Sequence, residues 1–252
     1  MTPLRNTWAI MQRELLAIFV SPIAYVMLFV TLLINGFSFY LLAEFFSAQS
    51  SMSANASPIQ SFFGGTTLFY IPLLLLTPIA TMRLVAEETR SGTLETLMTA
   101  PVTETQVVVA KYLAGLALFL ALWSPTLLYV VVSAQYGNVE WGVIAASFLG
   151  LFGIGAHYVA IGVLMSSLAK SQIVAAALTF LVIGLLFFAG FGEFVFDDDS
   201  KRELFGYVNL WSHMESFSKG IVDTRRLAYY ASVVGLCLFF SVRAVEARRW
   251  NG

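Results

Sequence analysis

"WGVIAASFLGLFGIGAHYVAIGVLMSSLA", residues 141–169, runs from Glu140 to Lys170 without a single Asp, Glu, Lys or Arg. A helix needs about 20 apolar residues to cross a bilayer. In hydrocarbon, backbone polar groups must be satisfied within the segment, so such a run is a helix. Gly150, Gly153, Gly155, Ala156, Ala160 and Gly162 leave its surface low enough for neighbouring helices to approach closely. His157 falls near its middle, where an ionisable group is costly and often functional. A neutral imidazole hydrogen-bonded to a neighbouring helix is the cheaper arrangement there, and a proton relay the dearer one.

Working outward, charge-free runs recur at 15–43, 45–82, 112–139, 171–192 and 227–242. Hydrophobic residues make up 58% of the chain and charged residues 12%, which excludes an ordinary soluble domain. The run 45–82 is too long for one span. Its first part, "FFSAQSSMSANASPIQSF", is rich in Ser, Asn and Gln and reads as an exposed loop. Six spans are predicted, near 21–45, 62–83, 107–134, 142–167, 171–192 and 227–243, within one transmembrane domain covering 1–252. The fold class is an all-α integral membrane protein in a lipid bilayer. Asn35 and Thr31 in the first span are expected to bond across to other helices. Pro72, Pro78 and Pro125 are expected to bend theirs.

Lys and Arg set the orientation. With the N-terminus inside, the inner segments hold Arg5, Arg13, Arg83, Arg90, Lys111, Lys170, Arg243, Arg248 and Arg249, and the first two outer loops hold none. Lys201, Arg202, Lys219, Arg225 and Arg226 share one long segment, and long segments translocate largely regardless of charge. Both termini are therefore predicted to be cytoplasmic. "NTWAIMQRELLAIF" puts Trp8, Met11, Leu15 and Phe19 on one helical face and Arg5, Gln12 and Arg13 on the other. This reads as an interfacial helix over 1–20 rather than a signal peptide. The single cysteine, Cys237, lies inside the last span.

Between spans two and three the polar stretch 84–106 forms a predicted cytoplasmic elbow. Helix two continues through "LVAEETR", carrying Glu87, Glu88 and Arg90, and Gly92 ends it in a left-handed conformation. A short helix from Thr93 to Ala100 follows, with Leu94, Leu97 and Met98 on one side and Glu95 and Thr96 on the other. Pro101 stops it. Thr103 and Gln106 form a capping-box pattern opening the third span. A plain solvated loop has no need of three outward apolar residues, so a docking knob for a soluble partner is expected.

Catalytic motifs are missing. The sequence holds no G-x-x-x-x-G-K-[ST], no H-E-x-x-H and no G-x-S-x-G, so neither nucleotide hydrolysis nor a metal centre on this chain is expected. The run Asp197–Asp199 is a solvated turn, since consecutive residues converge poorly on one ion. No nucleic-acid partner is suggested.

With these stretches in view, the chain resembles the permease subunit of type-2 ABC transporters, in the gliding-motility GldF-like branch. "SPIAYV" at 21–26, "TPIATMRLVAEETRSGTLETLMTAPVTETQVVVAKY" at 77–112, "SSLAKSQIVAAALTF" at 166–180 and "SHMESFSKGIVDTRRLAYY" at 212–230 carry the resemblance. It implies a bacterial inner-membrane permease, dimeric with itself or a related chain, with a separate cytoplasmic ABC ATPase that binds ATP and Mg. It implies no cofactor on this chain, an export direction, and an auxiliary extracytoplasmic protein. The coupling helix maps onto Thr93 to Ala100, approached through Glu87, Glu88 and Arg90. The resemblance also implies a re-entrant element before the last span, within 193–226. There Leu210, Met214, Phe217 and Ile221 recur at helical spacing, opposite Ser212, Glu215, Lys219 and Asp223, as in a helix dipping into the outer leaflet. Two rival readings stand beside this one: a non-transporting membrane anchor for an ATPase, and an intramembrane hydrolase whose paired glutamates and arginine "EETR" echoes.

Overall fold

The run 141–169 becomes the central helix, and its glycines mark where neighbours reach it. The computed structural model describes residues 3–48, 58–93, 102–136, 139–195 and 198–251, and the regular elements among them are all helical. In chain order these are α1 (Pro3–Val20), α2 (Pro22–Ala48), α3 (Pro58–Gly64), α4 (Thr67–Thr81), α5 (Ala86–Ser91), α6 (Glu104–Trp123) and α7 (Thr126–Tyr136). There follow α8 (Trp141–Leu168), α9 (Gln172–Gly190), α10 (Gly192–Val195), α11 (Asp199–Gly206), α12 (Leu210–Ser218) and α13 (Thr224–Asn251). Six stretches among the described residues are long and apolar enough to cross a membrane: Pro22–Ala48, Thr67–Ser91, Glu104–Gln135, Trp141–Leu168, Gln172–Gly190 and Thr224–Arg248. They match the six runs read from the sequence. The protein is an all-helical, multi-pass membrane protein.

Helix α8 is packed by α4, α6, α9, α12 and α13. Lipid tails are as apolar as Leu, so close contact rather than water exclusion must hold these helices together. The glycines provide it. A Cβ on Gly155 would lie 2.1 Å from the Phe119 ring of α6, and one on Gly162 2.1 Å from Thr81 Oγ1 of α4. On Gly150 it would lie 2.7 Å from Phe217 of α12, and on Gly153 2.7 Å from Tyr230 of α13. Four neighbours thus seat a side chain in four notches of one helix.

The structure departs from the sequence reading at several places. Residues 58–64 are not exposed loop. Pro58 suits the first turn of a helix, and Ile59, Phe62 and Phe63 on one face of α3 are buried. The Phe62 ring meets those of Phe39, Phe63, Phe69 and Tyr129.

Helix two does not run on through 84–90. It stops at Thr81 and restarts at Ala86. The Val85 and Ala86 N–H groups both donate to Ser166 Oγ of α8 at 3.0 Å, and Ser166 Oγ donates to the Met82 carbonyl at 3.1 Å. One hydroxyl therefore satisfies backbone groups that the break would otherwise leave bare.

The apolar face of α12 does not point at lipid. Leu210, Met214 and Phe217 are at most 1% exposed, with α12 seated on α3 and α8. Ile221 does not continue that face. Gly220, at φ 79°, ends the helix, with Gly220 N–H bonded to Phe217 O and Ile221 N–H to Ser216 O, which leaves Ile221 exposed. Thr31 Oγ1 donates to Met27 O within its own helix instead of reaching across.

Other features follow the sequence. Gly92 has φ 69° at the end of α5, and Thr103 and Gln106 make both bonds of a capping box. The third span is interrupted between α6 and α7 at Ser124–Pro125.

Gly155→Leu is expected to lower the stability of the detergent-solubilised protein by about 1–3 kcal/mol, because Phe119 already occupies the space. Gly184→Leu on α9 has nothing within 4 Å of the new Cβ and is expected to be near-neutral. Comparing thermal midpoints of the two variants checks this, and equal shifts would show that the notches do not hold the bundle.

Candidate functional site

At the end of the bundle where α1, α5 and α6 meet, four charged side chains converge. Lys111 of α6 has a side chain only 1% exposed. Its Nζ lies 3.1 Å from Glu14 Oε1 of α1 and 2.9 Å from Glu88 Oε2 of α5. Arg13 closes the set, with Nη2 2.8 Å from Glu14 Oε1 and 2.7 Å from Glu88 Oε1. Two acids and two bases compensate one another, which a buried ammonium requires. Its carboxylate neighbours raise the Arg13 pKa, the hydrogen bond to Glu14 most of all. Beneath the charges, Ile10 of α1 packs with Val107 and Ala110 of α6. The inward face of α1 is thus Ile10 and Glu14, while Trp8 and Phe19 are exposed on the other side, as an interfacial helix would present them.

The sequence-derived coupling residues separate into distinct roles. Glu88 belongs to the ion network. Glu87 lines a cavity of about 610 Å³ enclosed by α1, α2, α4, α5 and α6. Arg90, Gly92 and Thr93 are exposed, with Ser91 Oγ and Thr93 Oγ1 2.8 Å apart. Leu94, Glu95, Leu97, Met98 and Pro101 lie outside the described residues, as does the rest of the helix expected from Thr93 to Ala100.

The sequence reading uses Lys111 and Arg13 only for orientation and misses Glu14, the role of Ser166 and the pairing among the charges. The available signal was two acids and two bases on one predicted side of the membrane, with Lys111 alone in an apolar run. A second joint adjoins the network, where Arg83 Nη1 donates to Ser21 Oγ at the α1–α2 corner, 3.2 Å away.

The intramembrane polar residues behave differently. Asn35 is 1% exposed, and neither its Oδ1 nor its Nδ2 finds a hydrogen-bond partner among the described residues. His157 is fully buried, and neither ring nitrogen makes a hydrogen bond among the described residues. The expected bond to a neighbouring helix is replaced by ring contacts with Tyr158, Tyr229 and Tyr230, with centroids 5.8, 5.4 and 5.9 Å away.

At the opposite end, Asn209 caps α12 by accepting from Trp211 and Ser212 N–H, and donates to Glu193 Oε2 at 2.7 Å. Arg226 Nη1 donates to the Ser212 and His213 carbonyls. His213 Nδ1 lies 3.1 Å from the Tyr230 hydroxyl. Burial, reinforced by Arg226, pushes the His213 imidazole down to about 4.

These features define the class: a polytopic membrane protein with a charged joint at one end of its bundle and a re-folded, protein-seated helical segment at the other. Residues 47–236 match the family described as ABC-2 family transporter protein, and the chain belongs to that family. It is the membrane permease component of an ABC-2 transporter, a class whose ATPase is a separate subunit. No curated protein matches the chain. The matched stretch contains Glu88, Lys111 and Ser166, whereas Arg13 and Glu14 lie ahead of it.

Lys111→Met is expected to cost about 3–5 kcal/mol, because the largely buried Glu14 and Glu88 are left to share one half-exposed cation, Arg13. Combining it with Glu88→Gln should cost less than the two single changes summed, by on the order of 1–3 kcal/mol. Denaturant unfolding of all three variants measures the coupling, and strict additivity would dissolve the network as a unit.

A pH dependence follows from His213. Its folded pKa lies below the ordinary 6.5, so the unfolded chain binds the proton first, and stability is lost as pH falls from 6.5 toward 4. Acidifying from pH 7 to 5 should remove about 2 kcal/mol. His213→Asn should flatten this loss in thermal melts, and an unchanged pH profile in that variant would assign the loss to other groups.

Proposed function

We propose that the permease is driven by a cytoplasmic ABC ATPase, carrying ATP and Mg, that docks on the elbow at 84–106. The observation that carries this reading is the Arg13–Glu14–Glu88–Lys111 network. It ties the interfacial helix, the last described turn before the elbow and the foot of the third span into one body. A push on the elbow then moves α1 and α6 together. Ser166 fastens the same region to α8, so displacement reaches the central helix. Transmission requires that the docking free energy differ between the two ATPase states.

In this reading both termini are cytoplasmic, in line with the distribution of Lys and Arg in the short loops. Two permease chains form the path, and transport is outward across a bacterial inner membrane. The GldF-like placement, and with it an auxiliary extracytoplasmic protein, rests on the stretches at 77–112, 166–180 and 212–230. A hydrolase at "EETR" is disfavoured, because Lys111 and Arg13 already engage the Glu88 carboxylate. An anchor that recruits an ATPase without transporting would use the same elbow.

Purifying the chain gently from its native membranes should bring down ATPase activity. Leu97→Asp should leave the chain in the membrane but reduce the recovered activity by at least about tenfold, since it places a charge on the apolar docking face. Undiminished recovery with Leu97→Asp would refute docking at the elbow. Recovery of no ATPase by the native chain would refute the pairing itself.

A further inference from the structure

The cavity of about 610 Å³ beside the charged joint has two kinds of wall. Its deeper part is apolar, with Ile18 of α1, Met27 of α2, Ile79 of α4 and Leu118 of α6. Leu118 stands about two turns, roughly 10 Å, above Lys111 along α6. Its mouth carries Arg83 and Glu87. Arg83 has only the neutral Ser21 hydroxyl as a side-chain partner, and neither Arg83 nor Glu87 forms an ion pair among the described residues. Arg13, Glu14 and Glu88 line the same cavity but differ, because with Lys111 they are already paired with one another.

A partly buried guanidinium and a carboxylate without counter-charges, at the rim of an apolar recess, call for a ligand bearing both signs and a hydrocarbon part. The height of the site fits as well. Exposed Trp8 and Phe19 on α1 place this end of the bundle at a membrane–water boundary.

We propose that the cavity holds one phospholipid with a zwitterionic amino head, taken from the leaflet on the elbow side. Its phosphate sits against Arg83, its ammonium against Glu87, and an acyl chain lies along Met27, Ile79 and Leu118. The lipid completes the wall between α1, α2 and α4 where side chains leave a gap. This site adjoins the elbow on which ATPase docking is proposed above, but its occupancy is measured on the permease alone, without the ATPase.

The test is native mass spectrometry of the purified full-length chain, first delipidated and then exposed to detergent micelles carrying defined lipids. Phosphatidylethanolamine should be retained at one molecule per chain, and phosphatidylglycerol about tenfold less, given the strength of one charge-assisted hydrogen bond. Arg83→Gln should reduce retention of both lipids. Glu87→Gln should reduce retention of phosphatidylethanolamine alone and so abolish the preference. Glycerophosphoethanolamine, which has no chains, should not compete. Equal retention of the two lipids by the native chain would overturn the proposal, and that measurement needs no variant to fold. So would an unaltered preference in Glu87→Gln, or full competition by the chainless head.

Discussion

The bundle depends on the absence of side chains along α8. In water a helix can be recruited to its partners by burying apolar surface, but in lipid that gain largely vanishes and contact distance decides. Gly150, Gly153, Gly155 and Gly162 let Phe217, Tyr230, Phe119 and Thr81 approach to where a Cβ would stand. Each glycine faces a different neighbour, so the notches set which helix goes where. Dispersion is individually small and falls off steeply with separation, so a shift of a fraction of an ångström forfeits much of it. That explains why a helix with so little sequence character organises the molecule.

Two polar devices then hold the elbow end. Ser166 satisfies two N–H groups and one carbonyl at the break between α4 and α5. It thereby makes a non-helical turn tolerable where it is buried in protein. Lys111 does the corresponding work for charge. A lone buried ammonium in that position would be costly, but Glu14 and Glu88 hold it, and Arg13 offsets the surplus acid. Arg13 itself is half-exposed and adds less than the buried members. Both devices join segments far apart in sequence.

That distance explains what could and could not be read in advance. Span positions were legible because a charge-free run of 20 or more residues has few other physical meanings. Gly92 and the Thr103–Gln106 box were legible because cap chemistry acts within four residues. Gly220 carried the same kind of signal and was overlooked, which misplaced Ile221. The apolar face of α12 was recognised but assigned to lipid, because periodicity reports that a face is covered and not by what. Ser166 looked like any serine at a span end, and its partners lie some 80 positions earlier. The elbow's own apolar residues, Leu94, Leu97 and Met98, remain a sequence expectation.

The polar atoms left without partners among the described residues lie on both α2 and α8. Asn35 and Ser38 lie on the buried face of α2 that also carries Ala24, Met27 and Thr31, and Ala24 and Met27 line the cavity below. Unsatisfied amide and hydroxyl groups in a dry interior cost about 1–3 kcal/mol each. Among the described residues the same cost falls on α8, where both His157 ring nitrogens and the Tyr158 hydroxyl lack partners, so close contact at the glycines must outweigh it there. If every seam were as tight as the one at Gly155, a push at the elbow would meet a single rigid block. If none were, the push would dissipate in side-chain rearrangement. Under the proposed docking, the firmest path from the elbow runs from Lys111 and Glu88 through Ser166 to the notches of α8.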